Sequence, residues 1–362
     1  MKGTMKAGRF YASAEPIRVE EIPIPDIQRN EVLVRVLRSG TNGGDVHLRK
    51  GLYDRYVPVR PLTIGHEGLG EVVEMGPEAS GVKVGDRVIV RPSLTCGFCK
   101  FCRSEREHRC IRRQVIGWLS HPETLNPRCI DGMWAEYCRI PDTNVHRLEP
   151  DDDIDTYSLV SVIAVGYRAL KRAEMSPGDA VIINGATGVT GVPAVLAAMA
   201  LGAAHIIAVA RNESRLKKLK ELDPGRISTI STKSGSVAER ILELTKGQGA
   251  SVVVDLVPDT NESLMECIRA LEPCGRVALL AAKNEPVQLT YHDYLLRAVE
   301  ITSSNGRNYQ DIAELVELTR HGVIDPTVIT PKFFALEQVN EAIDAVDRRI
   351  TPEPCWPMMK ID

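Results

Sequence analysis

The clearest hydrophobic pattern in the chain is a short β-branched run, followed by a glycine-rich turn and a stretch of small apolar residues with helical spacing. The run covers residues 180–183, the turn residues 184–191, and the helical stretch residues 192–201. A second apolar run, residues 205–209, follows directly. Short β-branched runs are typical of buried parallel strands. The pattern therefore predicts a strand–turn–helix–strand unit.

The turn inside this unit is suited to a dinucleotide. Gly188 and Gly191 keep two places of the G-x-G-x-x-G pattern, while Ala186 stands where its first glycine would fall. Glycines let backbone N–H groups approach a pyrophosphate, and the helix N-terminus favours its negative charge. An ordinary structural turn is the alternative. The predicted cofactor-contacting residues are Gly185, Ala186, Thr187, Gly188, Val189, Thr190 and Gly191.

The end of the second strand indicates which dinucleotide binds. A site for NAD expects an acidic residue there, which takes the ribose 2′-hydroxyl. This chain has Ala210 followed by Arg211. A small residue leaves room, and a guanidinium is suited to a 2′-phosphate. A solvated loop arginine is the alternative, but we expect Arg211 to select NADP(H).

The pattern continues as alternating helices and strands. Helices are predicted at residues 213–222, 236–245 and 261–271, and strands at residues 227–230, 252–257 and 275–280. This alternation fits a six-stranded doubly wound parallel sheet. Asp255 lies near the carboxyl end of its strand, where such sheets bind ligands, and is a further candidate for cofactor binding.

The N-terminal part has a different pattern. Short strand-like runs separated by glycine and proline turns occupy residues 6–11, 17–22, 31–37, 65–73 and 81–90. Such spacing predicts a small β-barrel before the doubly wound domain. The expected fold class is therefore α/β.

Length, charge and hydropathy indicate the number of domains and exclude some classes of partner. The 362 residues suffice for two domains, and 43% are hydrophobic. The net charge of −3 has interleaved signs and supplies no basic stripe for nucleic acid. We find no apolar run of about 20 residues and no signal-peptide pattern, so we expect no membrane partner and a cytoplasmic location.

Four of the nine cysteines are closely spaced: Cys96, Cys99, Cys102 and Cys110. Four thiolates within so short a segment can surround one tetrahedral ion, and all-cysteine coordination is typical of structural zinc. Four reduced thiols in a mobile loop are the alternative. The remaining cysteines are expected to be small buried apolar side chains; they are Cys129, Cys138, Cys267, Cys274 and Cys355.

Several motifs together resemble the medium-chain dehydrogenase/reductase superfamily, which includes zinc alcohol dehydrogenases and quinone reductases. They are residues 31–36, 65–67, 85–88 and 131–137 with the glycine turn. The resemblance implies a GroES-like β-barrel catalytic domain at residues 1–155, with the structural zinc lobe at 91–112. It also implies a Rossmann domain at 156–300 and a return to the catalytic domain at 301–362. Members of this superfamily are usually homodimers or homotetramers.

The resemblance implies a second, catalytic zinc, and here the sequence departs from the pattern. His66 and Glu67 are present, but the positions of the two other ligands hold Asn42 and Ser161, and the proton-relay position holds Gly44. Neutral oxygen groups bind zinc much more weakly than thiolates. We therefore expect no tightly bound catalytic zinc.

Residues near the missing ligands leave several roles open. His66 is either catalytic or a hydrogen-bonded core histidine. Asp45 and His47 are candidates for supporting the site or for a proton route, and the family's equivalent of His47 lies at the cofactor ribose. Trp118, Trp134 and residues 119–129 could line a pocket, which their spacing does not establish.

Three functions remain open at this point. The leading hypothesis is an NADP(H)-dependent oxidoreductase that acts on a small-molecule substrate and interconverts an alcohol and a ketone or aldehyde. Since Asn42 and Asp45 resemble the active-site turn of zinc-free quinone and enone reductases, an NADPH-dependent C=C reductase is the alternative. The third is an NADPH-binding protein whose catalytic site has decayed.

Overall fold

The computed structural model describes residues 1–57, 59–104, 106–118, 131–258, 260–283, 285–348 and 355–361. The predicted pocket segment 119–129, which includes Cys129, lies outside these residues, as does the side chain of Cys355. In the described part of the chain, helices are too short or too polar to cross a bilayer.

The N-terminal part is mostly β-structure. Its strands are β1 (Thr4–Phe10), β2 (Arg18–Pro23), β3 (Glu31–Gly40), β4 (Leu62–Thr63), β5 (Gly68–Met75), β6 (Arg87–Val90), β7 (Ser93–Leu94), β8 (Gln114–Val115), β9 (Tyr137–Pro141) and β10 (Val145–Arg147). Its helices are α1 (Gly43–Arg49), α2 (Ile154–Ser158) and α3 (Val160–Arg172).

Strands and helices alternate in the rest of the chain. The strands are β11 (Ala180–Asn184), β12 (His205–Ala210), β13 (Ile227–Ser231), β14 (Ala250–Asp255), β15 (Leu271–Leu279), β16 (Glu300–Ser303), β17 (Thr330–Phe334) and β18 (Cys355–Lys360). The helices are α4 (Gly191–Ala200), α5 (Glu213–Glu221), α6 (Val237–Leu244), α7 (Glu262–Arg269), α8 (Tyr309–Arg320) and α9 (Val339–Arg348).

The predicted doubly wound sheet is confirmed. Its order is β13-β12-β11-β14-β15-β16, and neighbouring strands are parallel. Its central strands are mostly apolar because helices cover both faces, and every residue of β14 is buried. Strand order reverses between β11 and β14, which opens a crevice at their carboxyl ends.

The predicted β-rich domain is also present. Its main sheet has the order β10-β6-β5-β3-β18-β17, with β9 also paired to β3, and β2-β1-β4 forms a smaller sheet. Strand β18, near the end of the chain, pairs antiparallel with β3 and places Met358 opposite Gly40. The return of the chain thus stabilises the strand that leads into the Asn42 turn.

The link between the two sheets differs in detail from the expected boundary at residue 300. Strand β16 continues to Ser303 in the doubly wound sheet, and α8 then packs against α3. The loop of residues 304–307 joins β16 to α8, is here called the β16–α8 loop, and reaches Glu67 and His66 in the β-rich domain.

Two local predictions were wrong. His66 and Glu67 precede β5 instead of lying in a strand, because Gly65 has a φ of +98° and turns the backbone tightly against Trp134. Cys274 is exposed, whereas Cys138 and Cys267 are buried as expected. The pairing of β14 with β15 shifts between Ala250 and Val252, and this irregularity displaces Cys274 outward.

Candidate active site

The turn at Asn42 begins helix α1. The Asn42 side-chain oxygen accepts a hydrogen bond from the Gly44 N–H at 2.7 Å, and the Asp45 carboxylate accepts one from the Asn42 N–H at 2.9 Å. This reciprocal arrangement is a capping box, which satisfies N–H groups that a helix start leaves unpaired. It holds both side chains in place at the end of β3.

His66 lies against this turn. Its Nε2 atom is 3.0 Å from the Asn42 side-chain nitrogen, and its Nδ1 atom is 3.4 Å from Asp45 Oδ1. His66 is 5% exposed and Asp45 1%. The structure therefore brings three of the predicted site residues together in a cluster shielded from water.

Trp118, which the sequence offered only as a pocket wall, covers this cluster. Its indole stacks on the His66 imidazole with ring centroids 4.5 Å apart and planes 11° apart. Gly44 makes room for it, because a Cβ atom at Gly44 would lie 2.9 Å from Trp118 Cζ2. The glycine at the relay position thus has a packing reason that spacing along the chain does not reveal.

Glu67 is held by a residue that the sequence reasoning missed. Arg307, from the β16–α8 loop, donates to Glu67 Oε1 at 3.2 Å and to the His66 carbonyl oxygen at 3.1 Å. Both side chains of this ion pair are 4% exposed. Burial lowers the pKa of the Arg307 guanidinium, and the charge of Glu67 opposes that shift.

Two catalytic candidates remain, Ser161 and His47. Ser161 is buried on α3, and its hydroxyl has no hydrogen-bond partner in the described structure. His47 is on α1, where its ring lies 6.1 Å from that of Tyr53. Tyr53 in turn packs edge-on against Trp118, with centroids 5.4 Å apart.

The four predicted metal ligands come together. The sulfur atoms of Cys96, Cys99, Cys102 and Cys110 all lie within 4.8 Å of one another. Backbone N–H groups donate to two of them, from Cys99 to the Cys96 sulfur and from Arg112 to the Cys110 sulfur, each at 3.4 Å. The donor set and its spacing fit a tetrahedral zinc ion.

The thiols of this cluster differ in proton affinity. Donation from the Cys102 backbone N–H lowers the pKa of Cys99 to about 6, whereas burial raises the pKa of Cys102 to about 12. Four neighbouring thiolates repel one another and need a cation to be ionised together. The cluster is therefore suited to a divalent metal ion.

The glycine turn has the form a pyrophosphate needs. A Cβ atom at Gly191 would lie 2.1 Å from the Gly185 carbonyl oxygen, so only glycine allows this close approach. At Gly188 the nearest atom to such a Cβ is 3.2 Å away. In the described structure the N–H groups of Thr187, Val189 and Thr190 donate to no other residue. They are thus available to a ligand at the start of α4.

Two arginines follow β12, and one of them contacts the glycine turn. Ala210 and Arg211 follow the strand as predicted, and Arg211 is exposed. Arg215 on α5 is buried, and its guanidinium donates to the Thr187 carbonyl oxygen at 3.4 Å. Asn212 caps α5, and Arg215, three residues later, faces back toward the glycine turn. This helical spacing after Asn212 is the sequence feature from which Arg215 could have been predicted.

Asp255 lies at the crevice but is bound within the protein. It is fully buried, with Oδ2 2.7 Å from the Lys283 ammonium and Oδ1 2.8 Å from the Asn184 amide. Burial raises its pKa, and Lys283 opposes that shift. Asp255 thus ties together the ends of β11 and β14 and the segment after β15.

Comparison with known proteins agrees with these features. A family model described as Alcohol dehydrogenase GroES-like domain matches residues 28–150, and one described as Zinc-binding dehydrogenase matches residues 190–320. The NAD-dependent alcohol dehydrogenase of Sulfurisphaera tokodaii is 30% identical over 352 residues, which cover 95% of this chain and 96% of that protein.

Two further comparisons cover almost the whole chain. The L-threonine 3-dehydrogenase of Burkholderia multivorans is 28% identical over 91% of this chain and 93% of its own. The solved structure of an alcohol dehydrogenase from Thermus sp. ATN1 has a TM-score of 0.85 and 25% identity, covering 98% of this chain and 99% of that one. The chain belongs to the medium-chain dehydrogenase/reductase superfamily, in its zinc-containing alcohol dehydrogenase-like branch.

Proposed function

We propose that this protein interconverts an alcohol and a ketone or aldehyde with NADP(H), without a tightly bound catalytic zinc. The observation that carries the proposal is the contact of 3.0 Å between the Asn42 amide and His66 Nε2. The Asn42 oxygen already accepts from Gly44, so its nitrogen faces the imidazole and donates. The lone pair that a metal ion would require on Nε2 is thereby used.

The charges around His66 support the same proposal. Glu67 is neutralised by Arg307, and one oxygen of Asp45 caps α1. Two neutral groups, Asn42 and Ser161, stand where anionic ligands would be needed. A divalent ion placed here would therefore lack the negative charge that holds zinc in proteins.

The same contacts orient His66 for proton handling. Because Nε2 accepts from Asn42, the ring proton of the neutral imidazole is on Nδ1, which faces Asp45. We infer that His66 and Asp45 hold the proton exchanged with the substrate oxygen. When bound, the nicotinamide supplies or accepts the hydride.

The proposed preference for NADP(H) rests on the end of β12. Ala210 leaves space where an acidic residue would repel a phosphate, and Arg211 and Arg215 supply two guanidiniums near the turn. The Sulfurisphaera relative is named as NAD-dependent, so this preference distinguishes the chain from that protein.

The capping box of Asn42 and Asp45 keeps the C=C reductase as a second candidate, because an enolate oxygen needs a hydrogen-bond donor and no metal. A panel of alcohols, ketones and enones, followed by NADPH absorbance, separates the two. Turnover of alcohols and ketones supports the proposal, and turnover of enones alone supports the second candidate. No turnover of either class supports a decayed NADPH-binding protein.

We also propose that the protein is a homo-oligomer. Strand β16 is at the edge of the doubly wound sheet, and Ile301 on it is 39% exposed. Beside it in sequence, Tyr291, Tyr294, Leu295 and Leu296 are each more than half exposed. An exposed sheet edge with large apolar neighbours favours association with a second copy.

A further inference from the structure

The β16–α8 loop is in contact with two parts of the catalytic domain. On one side Arg307 binds Glu67 and the His66 carbonyl oxygen. On the other side Arg113, which follows the last cysteine of the metal lobe, donates to Asn305 at 3.4 Å. A Cβ atom at Gly306 would lie 2.7 Å from the Arg113 guanidinium, so the arginine packs directly on the loop backbone.

Arg113 is unusual in its burial and its charge. It is 7% exposed, its Nε atom has no hydrogen-bond partner, and in the described structure it forms no ion pair with a carboxylate. Its other side-chain contact is the Ser93 hydroxyl at 3.3 Å. A buried charge without a counter-charge strongly destabilises a fold. In the described structure, neutral groups therefore hold the Arg113 side chain in place.

The metal lobe holds the backbone of Arg113. The Arg113 backbone N–H donates to the Cys110 carbonyl oxygen at 3.0 Å, so a tight turn ties Arg113 to the last ligand of the cluster. Arg113 therefore joins the metal lobe, through its backbone, to the β16–α8 loop, through its side chain.

We propose that Arg113 is a positioning residue that couples metal loading of the four-cysteine lobe to the geometry of His66. The loaded lobe holds Arg113 against Asn305 and Gly306; the loop then keeps Arg307 on Glu67 and on the His66 carbonyl oxygen. When the metal is lost, the turn that ties Arg113 to Cys110 loosens, and the β16–α8 loop loses its support from Arg113 and moves away from His66. The role of His66 in this scheme rests on the proposed function, but the coupling itself does not.

The test uses hydrogen exchange of the zinc-loaded chain, with zinc content measured on the same samples. Arg113→Met should keep its zinc and show about tenfold faster exchange in peptides that cover residues 64–70 and 302–309. Arg113→Lys, which keeps the charge, should restore part of the protection. The zinc-free wild type should resemble Arg113→Met in residues 64–70.

Arg91→Met is the matched control. Arg91 is also 7% exposed beside the lobe, but its side chain pairs with Glu107 at 3.0 Å, and in the described structure no hydrogen bond joins it to the β16–α8 loop. It should leave exchange in residues 64–70 unchanged. If Arg113→Met does not fold, Asn305→Ala removes the contact from the exposed side of the loop and should give the same faster exchange.

Two results would overturn the coupling: wild-type protection of residues 64–70 in zinc-loaded Arg113→Met, or equal loss of protection in Arg91→Met. A turnover measurement adds the link to catalysis. If Arg113 acts through Arg307, kcat of Arg113→Met/Arg307→Met equals that of Arg307→Met alone, while additive losses contradict the proposal. An inactive wild type with the predicted exchange pattern would reject the proposed function and keep the coupling.

Discussion

Asn42 determines much of the site through a single side chain. Its side-chain oxygen caps the start of helix α1, and its side-chain nitrogen donates to His66 Nε2. A cysteine at this position would supply a thiolate but would lose the cap, which is worth about 1 kcal/mol. The same residue thus stabilises a helix start and occupies the imidazole nitrogen.

The prediction of NADP(H) depends on Arg211. Replacing Arg211 with Ala should weaken NADPH binding about tenfold to a hundredfold and change NADH binding little, because only NADPH carries the 2′-phosphate. Lys217→Ala, on the following helix α5 and also exposed, controls for the loss of one positive charge. Titration of both cofactors gives the answer, and equal affinity of the wild type for NADH and NADPH would refute the assignment.

The packing of Trp118 against Gly44 gives a second prediction at this scale. Gly44→Ala should destabilise the fold by about 1–3 kcal/mol, because the new methyl group lies too close to the indole. In a Trp118→Leu background the cost should be smaller. Urea unfolding of the four proteins measures this coupling, and an identical cost in both backgrounds would show that the indole does not fill this space.

At the level of elements, the sequence predicted the helices and strands that depend on neighbouring residues, and it missed the contacts between distant residues. The unit β11–α4–β12 was predictable because β-branched runs, glycines and small helical residues follow one another directly. The contact of Arg307 with Glu67 was not, since it joins residues 240 positions apart. Trp118 over His66 likewise depends on tertiary packing, and only the absence of a side chain at Gly44 hinted at it.

The metal lobe is an element whose integrity should be separable from cofactor binding. Cys99→Ser leaves three thiolates, so we expect loss of zinc and a lower melting temperature with NADPH affinity unchanged. Cys274→Ser, at an exposed cysteine outside the lobe, should alter neither zinc content nor melting temperature. If wild type and Cys99→Ser are equally stable and both free of zinc, the lobe is not a metal site.

At the scale of the whole molecule, segments that are distant in sequence meet around Asn42 and His66. Strand β18 supports β3 from one side, and the β16–α8 loop reaches His66 from the doubly wound sheet. The family resemblance anticipated the return of the chain. It did not anticipate that Arg113 would bind this loop or that Arg307 would reach Glu67 from it, because neither arginine lies in a motif.

Self-association is the prediction that belongs to this scale. Ile301→Lys places a charge on the exposed edge strand and should convert the oligomer to monomers in analytical ultracentrifugation. Val84→Lys, at an apolar and more exposed position in the other domain, should leave the oligomer intact. A wild type that sediments as a monomer would contradict the proposed homo-oligomer.

The central claim is that His66 Nε2 accepts a hydrogen bond from Asn42 and does not bind a catalytic metal ion. Zinc content per folded chain tests it most directly, measured for the wild type, for Cys99→Ser and for Asn42→Cys/Ser161→Cys. We expect one zinc in the wild type, none in Cys99→Ser, and a second zinc in the double variant if thiolates are what the site lacks. Two zinc ions in the wild type, one of which remains in Cys99→Ser, would contradict the account.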